Sequence, residues 1–340
     1  MADKQTMKAV VFDGLRKVSV QDRPIPKVQK PHEIVVKVTA TALCGSDLHV
    51  YRGLEPSTPG YVMGHEFTGI VVEAGEDIKT IQLGDQVVVP FTISCMKCFY
   101  CNHGWTSRCE SSLLLGSPNL DGAQAEYVRV PHADGTAIKA PSGVPKETLV
   151  LMADIFPTGF FGAKNAFKLM DQIDPKEATV VIMGCGPVGL CALISALEYS
   201  PKRIIAIDGV DSRLEIAKSL GAIPLNYTKE GIDISKFVLE ATEGRGADAV
   251  IEVVGARQAL RTAYDILRPW GVISSIGVHN SEMGRCPVRA VFPEALEVLA
   301  RNHQKLSFMF DKLMPLTQAV EAYDLFDKMK VQKVIFKPNE

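Results

Sequence analysis

Two short glycine-containing segments near the N-terminus carry side chains that bind transition metals. The first is Cys44-Gly45-Ser46-Asp47-Leu48-His49, and the second, about 20 residues later, is Gly64-His65-Glu66. Zinc binds thiolates, imidazoles and carboxylates. Cys44, His65 and a third ligand from elsewhere would leave the fourth coordination position for water or substrate, as in catalytic zinc sites. Our candidate for the third ligand is Asp154.

Four of the eight cysteines are closely spaced, in the pattern C-x2-C-x2-C-x7-C. They are Cys95, Cys98, Cys101 and Cys109. Four thiolates on a short loop satisfy tetrahedral zinc, and an all-cysteine ligand set makes a closed structural site. Cysteines outside these two sites lack such spacing and are expected to be small core residues. They are Cys185, Cys191 and Cys286.

A four-cysteine loop also occurs in nucleic-acid-binding fingers, which is the alternative from a different functional class. Here the loop has only Lys97 and Arg108 as cations, against Glu110. It therefore lacks the basic stripe that phosphate contacts require.

A glycine-rich turn follows an apolar run that ends at Met183. Its sequence, Gly184-Cys185-Gly186-Pro187-Val188-Gly189, fits G-x-G-x-x-G at the start of a helix. The first glycine allows the turn, the second lets the backbone approach a pyrophosphate, and the third lets helix and strand pack closely. The sequence therefore predicts a dinucleotide site.

Asp208 ends the next predicted strand, about 20 residues after the glycine turn. A carboxylate there accepts hydrogen bonds from an adenosine ribose and repels the 2′-phosphate of NADP. Alternatively, Asp208 merely starts a turn before Gly209. Arg213 could pair with a 2′-phosphate, but Asp208 and Asp211 lie close to it in sequence, so we expect NAD.

The elements that must position these residues change in type along the chain. Up to about residue 150 the pattern is β-rich: Ile34, Val36 and Val38 are expected on one face of a strand, and Lys37, Thr39 and Thr41 on the other. Further strand-like runs are Phe67 to Glu73, Gln86 to Phe91 and Glu126 to Val130.

From about residue 175, short apolar runs alternate with helical patterns, which predicts βαβ units and a parallel sheet. One helix, Ser212 to Leu220, is expected to have Asp211 as its N-cap and Gly221 at its C-terminal end. The final apolar run, Lys333 to Phe336, is expected to return to the first domain.

Bulk properties limit the possible functions. A length of 340 residues predicts two domains. A net charge of -2 does not indicate the basic surface that binding to nucleic acid or anionic membranes requires. The N-terminus shows no secretory signal, so we expect a cytoplasmic protein with a small-molecule partner. The uncharged stretch Val180 to Leu197 could pass for a membrane span, but its glycines and proline favour a strand, a turn and a helix.

Together, these motifs resemble the zinc-containing medium-chain alcohol dehydrogenase family over nearly the whole chain. The resemblance implies a GroES-like β-barrel catalytic domain at 1–155 and 289–340, with a Rossmann domain at 156–288 between its two parts. It also implies two zinc ions per chain, one catalytic and one structural, and suggests a homotetramer or homodimer.

The resemblance further implies roles for single residues. Ser46 matches the hydroxyl that accepts the alcohol's proton, and His49 the histidine that relays it to solvent. Asp47 matches the carboxylate that orients His65. Glu66 matches an acid that binds zinc directly in some members. Further positions match residues that contact the nicotinamide, the rest of the cofactor or the substrate: Thr158 for the nicotinamide; Pro187, Val188, Ile276 and Val278 for the cofactor; Phe91 for the substrate pocket.

Two positions depart from the family pattern. Gly45 stands where some members have a basic contact to the pyrophosphate, and Lys333 is expected to compensate in part. Asp154 replaces a cysteine of many members, and the run Asp154 to Gly159 resembles the glutathione-independent formaldehyde dehydrogenases.

We therefore expect an NAD-dependent zinc alcohol dehydrogenase that interconverts a primary or secondary alcohol with an aldehyde or ketone. A polyol dehydrogenase and a formaldehyde-dehydrogenase-like enzyme are the alternatives within the enzyme class. A zinc-binding regulatory protein without the reaction is the alternative outside it, although Ser46, His49 and Thr158 argue against it.

Overall fold

The computed structural model describes residues 5–170, 172–278 and 288–339. The chain forms two compact units. The first comprises Met1–Asp154, Pro287–Pro293 and Leu306–Glu340, and the second comprises Ile155–Cys286 and Glu294–Lys305. Each unit is therefore built from separate stretches of the chain.

The strands, in chain order, are β1 (Thr6–Gly14), β2 (Lys17–Pro24), β3 (Ile34–Leu43), β4 (Glu66–Ala74), β5 (Gln86–Val89), β6 (Tyr127–Val130), β7 (Ile138–Lys139), β8 (Thr179–Met183), β9 (Arg203–Asp208), β10 (Ile223–Asn226), β11 (Ala247–Glu252), β12 (Leu267–Ser275), β13 (Lys312–Pro315) and β14 (Val334–Lys337). The α-helices are α1 (Gly45–Tyr51), α2 (Phe99–Asn102), α3 (Ala133–Thr136), α4 (Lys146–Leu149), α5 (Ile155–Leu169), α6 (Pro187–Leu197), α7 (Asp211–Ser219), α8 (Ile234–Ala241), α9 (Arg257–Ile266), α10 (Val288–Asn302) and α11 (Ala319–Asp327).

The first unit is organised around a mixed sheet with the strand order β13-β14-β3-β4-β5-β7, and β6 also pairs with β3. Strands β1 and β2 form a separate antiparallel ribbon. The predicted inward face of β3 is confirmed, because Ile34, Val36 and Val38 are fully buried. Thr41, expected on the opposite face, is also buried, and its hydroxyl donates to the Glu66 carbonyl at 2.8 Å.

The pairing of β3 with β4 is antiparallel, and Ala42 lies opposite Glu66. The residues that follow β3 therefore lie beside the residues that precede β4. The C-terminal strand β14 pairs with the other edge of β3, with Val334 opposite Leu43. The end of β3 is thus held between two strands that are distant in sequence.

The second unit contains a sheet with the strand order β10-β9-β8-β11-β12, and all four strand pairings are parallel. Val238 of α8 and Ile266 of α9 pack on one face, in a buried cluster with Val181 and Val250. Gly162 of α5 lies close to Ile251, whose side chain points to the other face. The predicted alternation of strands and helices is therefore present.

Helix α7 differs from its prediction at the N-terminus. Val210 is the N-cap and Asp211 is the first helical residue. The Asp211 carboxylate instead accepts a hydrogen bond from the Asn226 amide at 2.7 Å, because β10 lies within its reach. The C-terminal prediction is confirmed, since Gly221 has a φ of +101°.

The uncharged stretch from Val180 to Leu197 forms β8, a turn and the 11-residue helix α6. Across the residues that the structure describes, every helix is too short or too polar to cross a membrane.

Asp248 is a fully buried carboxylate near the start of β11. It accepts hydrogen bonds from the Thr179 backbone N–H at 2.8 Å, from Arg268 Nε at 2.6 Å, and from Arg245. Burial raises the pKa of this carboxyl, but the hydrogen bonds from Arg245, Thr179 and Arg268 outweigh burial and leave the pKa below its usual value.

Asp248→Asn is expected to lower the free energy of unfolding at pH 7 by about 2 kcal/mol, because two arginines lose a charged acceptor. The native pKa lies below the unfolded one, so the contribution is complete above the unfolded pKa and disappears as the pH falls through the native pKa. Denaturant titrations of both proteins from pH 7 downwards measure this difference.

The matched control is Asp265→Asn, which removes the exposed pair with Arg261 on α9. It should change the unfolding free energy by less than about 0.5 kcal/mol. Equal effects of the two substitutions at pH 7 would contradict the role given to Asp248.

Candidate functional site

Cys44, His65 and Asp154 meet at one point in the first unit. Cys44 lies between β3 and α1, and His65 directly precedes β4, so the β3–β4 register brings them together. Asp154 follows the 3₁₀ turn Val150–Ala153. The Oδ2 atom of Asp154 lies 3.5 Å from Cys44 Sγ and 3.4 Å from His65 Nε2. All three potential ligand atoms lie within 4.8 Å of one another.

These separations suit a zinc ion. Ligand atoms around tetrahedral zinc, at about 2.0–2.3 Å from the metal, lie about 3.3–3.8 Å from each other. The set contains sulfur, nitrogen and oxygen, all of which zinc accepts. Three protein ligands leave one position for a small molecule, which is the arrangement of catalytic sites.

Asp47 holds the imidazole of His65 from the far side. Its Oδ1 lies 3.2 Å from His65 Nδ1, and its Oδ2 accepts a hydrogen bond from the Cys44 backbone N–H at 2.9 Å. One carboxylate thus fixes the ring of one candidate ligand and the backbone of another. With Nδ1 engaged, Nε2 is the ring atom that faces Asp154 and Cys44.

The electrostatics of this point favour a positive charge. Burial lowers the pKa of His65, but the charge of Asp47 and hydrogen bonds with Asp154, Asp47 and Cys44 outweigh burial and raise the pKa well above its usual value. Burial and the nearby Glu66 carboxylate raise the pKa of the Cys44 thiol. A bound cation would relieve the repulsion among these groups.

Two other predicted residues lie beside His65. The hydroxyl of Ser46 lies 3.2 Å from His65 Nε2. The ring of Phe91 meets the imidazole edge-on, with centroids 6.1 Å apart. A hydroxyl and an aromatic wall therefore adjoin the candidate metal position. His49 lies on the same helix as Ser46, and its Nδ1 is 3.5 Å from a carboxylate oxygen of Glu55.

Glu66 and Lys333 contact each other, a pairing that the sequence did not predict. They form a buried ion pair with each other, Lys333 Nζ to Glu66 Oε2. Burial lowers the pKa of Lys333, but the Glu66 carboxylate outweighs burial and raises it. The Lys333 ammonium thus has Glu66 as its partner, and its contact with a pyrophosphate stays a prediction. Glu66 in turn lies outside the group of candidate zinc ligands found among the described residues.

The four-cysteine loop gathers its sulfurs at a second point of the same unit. Cys95, Cys98, Cys101 and Cys109 have their sulfur atoms within 4.8 Å of one another. The Cys95 and Ser111 backbone N–H groups donate to Cys109 Sγ at 3.2 and 3.4 Å. Hydrogen bonds from the backbones of Glu110 and Cys101 lower the pKa of Cys98 to about 6. Such donors favour the thiolates that a metal needs, whereas burial raises the pKa of Cys101 and Cys109.

The glycine-rich turn of the second unit has the predicted geometry. Gly184 has a φ of +95°, and a Cβ on Gly189 would lie 1.8 Å from the Gly184 carbonyl oxygen. A Cβ on Gly186 would meet nothing within 4 Å, which leaves room for a ligand to approach the backbone at the start of α6. Cys185 and Cys191 are buried, as expected, whereas Cys286 lies outside the described residues.

Asp208 supports this turn directly. Its Oδ2 accepts a hydrogen bond from the Cys185 backbone N–H at 2.7 Å, and its Oδ1 accepts one from Val210 at 2.9 Å. Arg213 Nη1 lies 3.8 Å from the same carboxylate. The acid thus stands at the end of β9, next to the first residues of the glycine turn.

The remaining predicted cofactor residues also lie in the second unit. Pro187 and Val188 open α6, and Thr158 is buried on α5. Ile276 and Val278 follow β12, at the carboxyl edge of the parallel sheet where the glycine turn also lies. Ile276 is buried and Val278 is half exposed.

Gln124 is a site residue that sequence reasoning missed. Its Nε2 lies 3.4 Å from Asp47 Oδ2 and donates to it. Gln124 belongs to none of the metal or nucleotide patterns. Gly64, directly before His65, and the nearby Gly122 are the sequence signals of a close backbone approach. These glycines do not identify Asp47 as the partner of Gln124, because Asp47 and Gln124 are 77 positions apart in the sequence.

Cys44→Ala is expected to remove one of two zinc ions per chain, because it removes the sulfur of the candidate open site and leaves the four-cysteine loop intact. Elemental analysis of the purified proteins measures the content. Cys191→Ala, at a buried cysteine of the second unit, is the control and should retain both ions. Two zinc ions in Cys44→Ala would contradict the ligand assignment.

Comparison with known proteins covers the whole chain. Residues 30–142 match the alcohol dehydrogenase GroES-like domain, and residues 187–316 match the zinc-binding dehydrogenase family. Zinc-type alcohol dehydrogenase B of Aspergillus flavus is 60% identical over 356 residues, which cover 100% of this chain and 83% of that protein. Medium chain reductase/dehydrogenase ucsI of Acremonium sp. is 60% identical over 278 residues, which cover 82% of this chain and 95% of that protein.

Among solved structures, alcohol dehydrogenase TADH from Thermus sp. ATN1 is similar, with a TM-score of 0.91 and 35% identity over 97% of this chain and 99% of that chain. These comparisons confirm the expected fold class, a GroES-like domain with a Rossmann-type parallel sheet. The chain belongs to the zinc-containing medium-chain dehydrogenase/reductase family and is an oxidoreductase of the zinc-type alcohol dehydrogenases.

Proposed function

We propose that the protein is an NAD-dependent alcohol dehydrogenase that interconverts a primary or secondary alcohol with an aldehyde or ketone. The observation that carries this proposal is the convergence of Cys44 Sγ, His65 Nε2 and Asp154 Oδ2, with the Ser46 hydroxyl beside them. Three protein ligands leave one zinc position open for the alcohol, and the adjacent hydroxyl can accept its proton. A purely structural zinc site needs neither the open position nor the hydroxyl.

When bound, zinc supplies a Lewis acid for the alcohol or carbonyl oxygen, and NAD supplies the hydride acceptor. Cys44, His65 and Asp154 would hold the zinc ion. Asp47 keeps the His65 ring in one orientation through Nδ1.

Ser46 moves the proton in this proposal. A hydroxyl can accept and donate at once, so Ser46 can take a proton from a substrate hydroxyl and pass it on. His49 lies one helical turn further along α1 and is the candidate for the next acceptor. Phe91 provides an apolar wall against which a carbon chain can pack.

NAD is favoured over NADP by the position of Asp208. The carboxylate lies at the end of β9 and is hydrogen-bonded to the glycine turn, where the adenosine ribose of a dinucleotide binds in this type of sheet. A 2′-phosphate there would meet a negative charge at close range.

The proposal includes the organisation of the chain. The first unit is assigned as the catalytic domain and the second as the NAD-binding domain. The expected limits are 1–155 with 289–340 and 156–288, whereas Glu294–Lys305, expected in the catalytic domain, belong to the second unit. The four-cysteine loop is assigned a structural zinc ion. A homotetramer or homodimer completes the proposal, by analogy of fold.

A direct test measures reduced nicotinamide formed from NAD and NADP in parallel, over primary alcohols, secondary alcohols, polyols and hydrated formaldehyde. We expect turnover with NAD, and the ranking of substrates separates simple alcohols from the polyol and formaldehyde alternatives. Cys44→Ala should bind NAD but show no turnover. An inactive wild-type protein with both zinc ions bound, or an active Cys44→Ala, would sink the proposal.

Asp208→Asn is expected to lower the ratio of kcat/KM for NAD to that for NADP by about tenfold, or about 1.4 kcal/mol, because the charge that repels the 2′-phosphate is removed. The amide oxygen can still accept one of the two backbone hydrogen bonds. Asp211→Asn, three residues further on, is the control and should leave the ratio unchanged, because the Asp211 carboxylate contacts Asn226 and Lys229 in the structure. A ratio unaffected by Asp208→Asn would show that another residue sets the preference.

A further inference from the structure

A chain of buried hydrogen bonds runs from the C-terminal helix α11 to the candidate zinc ligand His65. The Tyr323 hydroxyl donates to Gln124 Oε1 at 3.0 Å, and Gln124 Nε2 donates to Asp47 Oδ2 at 3.4 Å. Asp47 Oδ1 then lies 3.2 Å from His65 Nδ1. Tyr323 and Gln124 are fully buried, and Asp47 and His65 are 4% and 6% exposed.

The chain has a fixed direction. A tyrosine hydroxyl that keeps its proton donates to an amide oxygen, which turns the amide nitrogen of Gln124 towards Asp47. Burial raises the pKa of Tyr323 well above its usual value, so the proton stays on the hydroxyl. With the amide reversed, its oxygen would face the carboxylate, and two acceptors would be opposed.

The backbone of Gln124 is attached to the segment that leads into His65. Gln124 N–H donates to the Met63 carbonyl at 2.9 Å, and Ala123 N–H donates to the Gly64 carbonyl at 2.9 Å. A Cβ on Gly64 would lie 2.4 Å from Gln124 Cγ and 2.9 Å from Gln124 N. The glycine before His65 is therefore required by the close approach of Gln124.

Helix α11 is in turn fixed to α1, which carries Asp47. Arg52, directly after α1, donates to Asp327 Oδ1 at 2.5 Å and to its carbonyl oxygen at 2.9 Å. Arg16 donates to the same carboxylate at 3.0 Å. The Tyr51 and Tyr323 rings have centroids 5.3 Å apart. The Tyr323 hydroxyl thus has a fixed position relative to Asp47.

We propose that Gln124 and Tyr323 are positioning residues for the catalytic metal site, acting through Asp47. They hold the Asp47 carboxylate so that one oxygen faces His65 Nδ1 while the other receives Cys44 N–H and the Gln124 amide. Without them the carboxylate can rotate, and His65 Nε2 loses its fixed direction towards Cys44 and Asp154. This inference rests on the zinc site of the proposed function.

The test measures zinc release to a chelator in wild type, Gln124→Met and Tyr323→Phe, with the four-cysteine zinc of each protein as internal reference. Substitution of a carboxylate that orients a metal-binding histidine typically weakens metal binding about 10- to 100-fold. Gln124 and Tyr323 act on that carboxylate rather than on the histidine, so we expect a smaller effect, with the open-site zinc released about fivefold faster. Release from the four-cysteine loop should be unchanged. The absorption of the cobalt-substituted open site should also shift, since it reports ligand geometry.

Tyr61→Phe is the matched control. Tyr61 lies in the same core cluster as Tyr323. Its hydroxyl accepts a hydrogen bond from the Ser57 hydroxyl at 3.1 Å and is not part of the hydrogen-bond chain to His65. It should leave both release rates and the cobalt spectrum as in wild type. Tyr323→Phe keeps the ring and the packing of α11, so it remains informative if Gln124→Met folds poorly.

Asp47→Asn separates a positioning role from a structural one. If Tyr323 acts through Asp47, Tyr323→Phe adds no acceleration in an Asp47→Asn background. Unchanged release in both single variants, equal acceleration at both zinc sites, or full additivity with Asp47→Asn would overturn the inference. A wild-type protein that binds zinc only at the four-cysteine loop would instead refute the metal site itself.

Discussion

The register between β3 and β4 is the constraint on which the site depends. Ala42 lies opposite Glu66, so Cys44 at the end of one strand reaches His65 at the start of the next. A shift of one residue would reverse the faces of β4 and move the His65 side chain away from Cys44. The buried face of β3, with Ile34, Val36 and Val38, makes such a shift costly. The same β3–β4 register therefore determines both the packing of the first unit and the positions of the candidate zinc ligands.

Buried charge is the second feature of the site. Asp47, His65, Glu66 and Lys333 are all nearly or fully buried, and each has a partner of opposite sign or a hydrogen-bonding group. Burial of an unpaired charge costs several kcal/mol, so the pairs must be in place together. The Glu66–Lys333 pair also links β4, which begins at Glu66, to the C-terminal segment, because Lys333 lies directly before β14. The C-terminal segment therefore contributes to the site both here and through Tyr323.

Local sequence patterns predicted the residues whose chemistry is local or whose spacing is distinctive. Cys44 and His65, the four cysteines and the glycine turn were identified because each motif carries its own physical reason. Asp154 was found as a single acid by resemblance and by need of a third ligand, and the structure brings it to the other two. The alternation of strands and helices in the second unit was predicted from periodicity, and the helix expected at Ser212 to Leu220 lies one residue from α7 at each end.

Contacts between residues that are distant in the sequence could not be predicted from the sequence. Gln124 meets Asp47 across 77 residues and Tyr323 across 199, and such contacts leave no periodic trace. Lys333 is expected at the cofactor because a cation suits a pyrophosphate. In the structure it lies directly before β14 and pairs with Glu66, which is 267 positions away in the sequence. Asp211 was assigned as a cap because its type and position suit one, but Asn226 offers it a tertiary partner. For Gln124, Lys333 and Asp211, the residue type indicated which interactions were possible, but the sequence did not identify the partner.

X-ray absorption at the zinc edge tests the central claim most directly, because it counts sulfur neighbours without reference to activity. A chain with Cys44, His65 and Asp154 at one zinc ion and four cysteines at the other should show an average of about 2.5 sulfur ligands per zinc at about 2.3 Å, together with nitrogen and oxygen ligands at about 2.0 Å. An average of four sulfurs, with only one zinc ion per chain, would contradict the account.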